Sequence, residues 1–130
     1  MHNLPELATG RAAVIGNARI RGVVACVPSR RVDNDAFIER FGEGVAEVAK
    51  MTGVAHRHWV DADTTTSDLC AAAAERLRER LGWPRDSVDG LLFVSQTPDY
   101  RLPATACLLQ ERLGLRTGIL ALDVSLGCSG

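Results

Sequence analysis

The sequence predicts an α/β fold in which parallel strands are joined by helical crossovers. Three observations carry that reading. "GLLFVSQ" (90–96) and "ILALDV" (119–124) are short, nearly continuous apolar runs, the pattern of strands covered on both faces. The stretches before and between them carry apolar residues at helical spacing. The order is then strand, helix, strand, helix, strand and the start of a further helix, the alternation that parallel sheets require.

Taken in order, residues 12–27 (AAVIGNARIRGVVACV) are rich in Val and Ile and read as extended, with Pro28 ending the run. Asp33 or Asn34 suits the cap of a short helix, "DNDAFIERF", and a second helical stretch continues to Met51 with Gly53 as its stop. "HRHWV" (56–60) alternates as a short strand does. The strongest helix starts at Thr66-Ser67, where a hydroxyl accepts from first-turn amides and Asp68 complements the positive end of the dipole. Cys70, Ala73, Ala74, Leu77 and Leu81 form its apolar stripe, and Gly82 and Pro84 end it. "TPDYRLP" reads as loop, Pro103 as the first position of the helix "ATACLLQERLG", and Gly114 as its close.

Composition narrows the function classes. The 130 residues fit one domain, and 46% hydrophobic content suffices for a core. With 15 basic and 16 acidic residues and 5% aromatics, there is no electrostatic footprint for nucleic acid and no platform for stacking bases. No apolar stretch approaches the ~20 residues of a membrane span, and no secretory leader opens the sequence. A cytoplasmic location with reduced thiols is expected.

Cys26, Cys70, Cys107 and Cys128 include no C-x-x-C pair, which argues against structural zinc. The first three lie in or beside apolar periodic segments and read as core packing. His56 and His58 share a strand face without a nearby third ligand and read as a surface pair, and His2 as part of a mobile terminus. No metal or cofactor is expected. Asp99 and Asp123 can serve as acid or base, although turn and strand-end roles are commoner.

Cys128 stands in "DVSLGCSG", at the carboxyl end of the last strand, where a helix should begin. Functional groups of open α/β sheets gather at such strand ends. A free thiol titrates near 8.5. The positive end of a helix contributes ~1–2 kcal/mol, lowering that by roughly one unit. The same amides can stabilise an acyl-transfer oxyanion. Gly127, Ser129 and Gly130 keep the backbone accessible. The alternative is a small core residue after an apolar strand. "GNARIRG" lacks G-x-G-x-x-G spacing, so a nucleotide-binding domain is not indicated.

The runs "TTTSDLCAAAAERLRERLG", "DGLLFVSQTPDYRLPATACLLQERLG" and "LALDVSLGCSG", with "VIGNARIRGVVACVPSRRVDND" and "TGVAHRH" upstream, resemble the N-terminal half of β-ketoacyl-[acyl carrier protein] synthase III enzymes. The similarity covers nearly the whole chain from about Val14. It implies the N-terminal half of a thiolase-like fold, a layered α/β/α arrangement with a mixed, mainly parallel sheet. It implies too a decarboxylating Claisen condensation. Cys128 would take the acyl group from acyl-CoA or acyl-ACP, which are substrates rather than cofactors. A histidine and an asparagine would then assist attack by a malonyl-carrier carbanion. Leu102 matches the position that reaches the partner's acyl pocket, so a homodimer and acyl carrier protein are the implied partners.

Two departures qualify the resemblance. The Trp and Arg that clamp coenzyme A's adenine align with Glu47 and Met51 here, so a specialised member with another acyl donor is expected. The family's histidine and asparagine lie in the C-terminal half, and neither His2, His56 nor His58 matches them. Residues 1–130 are therefore expected to be one truncated half-domain set, inactive alone. Acyl transfer to an oxygen or nitrogen acceptor, or a non-catalytic partner subunit, are the alternative roles.

Overall fold

The computed structural model describes residues 16–127, arranged around two small sheets. In the first, β1 (Arg30–Asp33) pairs antiparallel with β2 (His56–Trp59), with Arg30 opposite Trp59 and Asp33 opposite His56. Strand β1 was not expected: Arg-Arg-Val-Asp has only one apolar residue and no alternation long enough to read. Cross-strand contacts hold it instead, with the Arg30 guanidinium 6.0 Å from the Trp59 ring centre.

Between these strands lie a 3₁₀ turn (Asn34–Phe37), α1 (Ile38–Phe41) and α2 (Gly44–Thr52). The expected caps are not used as such. Asp33 occupies the capping position but accepts from Arg31 at 2.7 Å. Asn34 donates to the Val54 carbonyl at 2.8 Å and accepts from Arg57 at 2.7 Å, tying the turn to β2. Gly53 closes α2 at φ +70°, in the left-handed region that glycine enters without strain.

Helix α3 (Thr66–Leu81) begins at Thr66 as expected, but its cap is one residue earlier than the expected hydroxyls. The accepting hydroxyl is that of Thr65, which takes the Asp68 amide, while the Asp68 carboxylate takes the Thr65 amide at 2.8 Å. Arg112 adds an ion pair to Asp68 at 2.6 Å. The Thr65 backbone amide first, then the Arg112 and Thr65 side chains, hold the Asp68 carboxyl down at about 2.

The second sheet is parallel. Strand β3 (Gly90–Val94) pairs with β4 (Leu120–Val124) in register from Gly90 opposite Leu120 to Val94 opposite Val124. The crossover between them contains α4 (Thr105–Arg112). Ala71 of α3, Phe93 of β3, and Ala106, Leu109 and Leu113 along and just after α4 make the buried core. Leu91, Ala121 and Cys70 pack against it. Glu75 accepts from Arg78 and Arg85, and Arg85 donates to the Leu113 carbonyl at 2.8 Å, closing the far end of the helix pair.

Three expectations are corrected here. Strands β3 and β4 are covered on one face among the described residues, because α3 and α4 lie on the same side. On the other face Leu92 is 61% exposed and Leu120 54%. The apolar run 12–27 forms no strand over its described part, 16–27. It meets no strand edge there; Gly22 instead lies against the Leu77 and Leu81 side chains of α3. Cys107 is exposed, since α4 turns positions 105, 106 and 109 inward and 107 away.

Phe93→Ala should lower the unfolding free energy by about 3–5 kcal/mol, as for other buried aromatic truncations. Leu92→Ser on the uncovered face should change it by less than about 0.5 kcal/mol. Urea denaturation of the two variants makes the comparison. Asp68 ionises more readily folded than unfolded, so its contribution is present above pH ~4 and fades as pH falls toward 2. Melting temperatures of Asp68→Asn and the parent protein should therefore differ at pH 6 and converge near pH 2.

Candidate active site

Parallel pairing brings the carboxyl ends of β3 and β4 to the same edge, with Val94 beside Val124. The loop 95–104 leaves from one end, carrying Leu102. Residues 125–127 leave from the other and lead directly to Cys128. Cys128, Ser129 and Gly130 lie outside the described residues, as does His2. Up to Gly127, however, the approach is defined: the Gln96 carboxamide lies against the Gly127 backbone, where a Cβ would collide with it. The two loops therefore meet one residue before the expected nucleophile.

A chain of hydroxyls and carboxylates braces the 95–104 loop. Ser95 Oγ accepts from the Thr97 amide at 3.0 Å, and the Thr97 hydroxyl is 2.9 Å from that of Thr66. The Asp99 carboxylate accepts from Ser67 Oγ at 2.5 Å and Thr65 Oγ1 at 3.1 Å. The Asp99 amide donates to Thr105 Oγ1 at 3.3 Å. Both hydroxyl residues that close on Asp99 from below, Ser67 and Thr105, are buried. From β4, Asp123 accepts the amides of Thr105 and Ala106 on separate oxygens, each at 2.7 Å.

Between these anchors the loop is open to its surroundings: Tyr100 is 62% exposed and Leu102 86%. The Leu102–Pro103 peptide is cis. The helix starts at Thr105, two residues beyond the expected Pro103. Ala104 occupies the capping position with no side chain to offer, and Asp123 supplies the cap from the neighbouring strand. Asp99 and Asp123 thus take the turn and strand-end roles that were the commoner alternative.

The other candidates are placed elsewhere. Burial pushes the Cys70 thiol up, and the charges of Asp99 and Cys26 add to the effect, so Cys70 is a poorer nucleophile than a free cysteine. Cys26 is half-buried. His56 and His58 sit on β2 with ring centres 5.6 Å apart, and His58 Nδ1 is 2.6 Å from the Pro28 carbonyl. Among the described residues no three His, Cys, Asp or Glu side chains gather as a metal site requires. No described helix is long and apolar enough to cross a membrane. Glu47 and Met51 stand one turn apart on α2, both exposed, Met51 at 80%.

Sequence reading missed the bracing side chains Ser67, Thr105 and Thr65 as a set. The available signal was the hydroxyl and carboxylate density of "TTTSD" and "SQTPD", whose partners only the fold reveals. It also missed an apolar cleft of about 540 Å³ between α2 and β2, lined by Phe37, Phe41, Val45, Val48 and Trp59, with Arg57 at its wall.

No family model matches the chain. Solved structures do. A 3-oxoacyl-(acyl-carrier protein) synthase from Burkholderia xenovorans LB400 is 59% identical over 86% of this chain, with a TM-score of 0.80. A 3-oxoacyl-(acyl-carrier-protein) synthase III structure is 34% identical over 85% of it, with a TM-score of 0.75. AbyA1, a tetronic acid condensing enzyme, is 29% identical over 82%, with a TM-score of 0.67. The chain spans about a third of the length of each of these proteins.

The fold is α/β of the thiolase-like class. Within that class, the chain is similar to 3-oxoacyl-(acyl-carrier-protein) synthases III over the third of their length that it spans.

Ser67→Ala removes a buried donor to a carboxylate, a loss of about 1.5–3 kcal/mol for a charged hydrogen bond. Chemical denaturation should show that loss. Hydrogen exchange should accelerate in 97–101 ahead of β3; uniform acceleration throughout would contradict the bracing role.

Proposed function

We propose that the whole protein is a condensing acyltransferase in which this segment supplies the nucleophile. The supporting observation is the 59% identity to a 3-oxoacyl-(acyl-carrier protein) synthase, together with two loops meeting at the carboxyl edge of a parallel pair. Cys128, as thiolate, attacks the carbonyl of an acyl thioester. A carbon–sulfur bond forms to the enzyme and the coenzyme A or carrier thiolate leaves. Malonyl-carrier loses carbon dioxide, and the resulting carbanion attacks the acyl-cysteine. The new carbon–carbon bond forms and Cys128 departs as thiolate. The histidine and asparagine that assist decarboxylation in the resembling family belong to the C-terminal half, outside these 130 residues.

Leu102 contributes to the partner's acyl pocket in a homodimer, a role its 86% exposure in this single chain accommodates. An apolar side chain left in water has no stabilising contact there, and burial in a pocket would contribute ~1.5–3 kcal/mol. Acyl carrier protein and acyl-CoA are the partners, and the cytoplasm is the location. With Glu47 and Met51 where an adenine clamp would stand, acetyl-CoA is a poor donor and a different or carrier-bound acyl group the preferred one.

The test is acyl loading of the whole protein. Incubation with radiolabelled acetyl-CoA, octanoyl-CoA and octanoyl-carrier should place label on Cys128, located by peptide mass spectrometry and abolished by Cys128→Ser. Label should come more slowly from acetyl-CoA than from the longer donors. Absence of label from every donor would favour a non-catalytic partner subunit, and efficient acetyl-CoA loading would sink the donor assignment. Residues 1–130 alone should not condense acyl and malonyl thioesters.

A further inference from the structure

We propose that Asp123 is a positioning residue for the acyl site, setting the orientation of the Leu102 loop against the strand that delivers Cys128. The inference rests on the functional reading above for the roles of those two residues. Its own basis is geometric. Asp123 lies on β4 opposite Phe93, on the side where α4 packs. It stands five residues before Cys128, and the two amides it accepts belong to residues three and four positions after Leu102.

Two bonds of 2.7 Å on separate oxygens do what one cannot. A single bond leaves the first turn of α4 free to pivot about it; a pair fixes both its distance and its rotation. The same turn carries Thr105, whose hydroxyl accepts from the Asp99 amide, so the middle of the loop is tied to the turn that Asp123 holds. Negative charge at the first turn also suits the helix dipole. Both Asp123 oxygens are committed to backbone amides, so this carboxylate is placed to orient rather than to exchange protons with a substrate.

Asn at 123 keeps the shape but sets an N–H₂ against one of the two amides, so the pair becomes a single bond. The measurement is the ratio of kcat/KM for two-carbon and eight-carbon acyl donors in the whole protein, with the alkylation rate of Cys128 by iodoacetamide alongside. Asp123→Asn should change the donor ratio by about fivefold while alkylation stays within about twofold. A merely structural role would lower both donors and alkylation together and leave the ratio alone, and an unchanged ratio in folded Asp123→Asn overturns the proposal. Leu102→Ala separates the two levels. If it shifts the ratio and Asp123→Asn does not, the proposal alone fails. If Leu102→Ala leaves the ratio unchanged, or Cys128 takes no acyl group, both fail. Wild-type protein gives a check that needs no variant. The Thr105 and Ala106 amides should both exchange slowly, and fast exchange at either overturns the assignment.

Discussion

The parallel pairing of β3 with β4 is the constraint on which the rest depends. Two parallel strands cannot be joined by a tight turn, so the chain must cross over, and α4 is that crossover. The crossover buries Ala106, Leu109 and Leu113 against Phe93 and in doing so places both strand exits at one edge. The meeting of the two loops follows from this sharing of an edge. An antiparallel pair would have sent the Leu102 loop and the Cys128 approach to opposite ends of the sheet.

Around that edge the polar side chains form two systems joined through the Thr65 hydroxyl, which also donates to Asp99. At one end of α3, the Thr65–Asp68 capping box and Arg112 hold the two helices in register. At the strand exits, Asp99 and Asp123 each gather donors from a different element. Neither system needs a titration to act; both work by giving otherwise orphaned amides and hydroxyls a fixed partner. The carboxylates serve as struts.

What was legible in the sequence was whatever periodicity encodes. The α3 stripe, the two apolar strands and the glycine stops at Gly53, Gly82 and Gly114 are local signals, and each lies within a residue or two of its expected place. What was not legible depends on partners distant in sequence. Strand β1 exists because Trp59 lies across from Arg30, twenty-nine positions away. The segment near Gly22 is extended in composition, but no strand edge meets it among the described residues. Pro103 was a good helix-start signal in isolation, and it was displaced because the cap comes from Asp123, eighteen positions beyond Thr105. Cys107 looked like core because apolar neighbours surround it in sequence, but the helix phase turns it outward.

The uncovered face of the parallel pair has a consequence for the molecule at working concentration. Leu92, Val94, Leu120 and Leu122 form a contiguous oily surface on strands whose outer edges still carry free backbone donors and acceptors among the described residues. Such a surface makes solubility a collective property. Its side chains are the ones that a third layer, or a second copy of the chain, would cover.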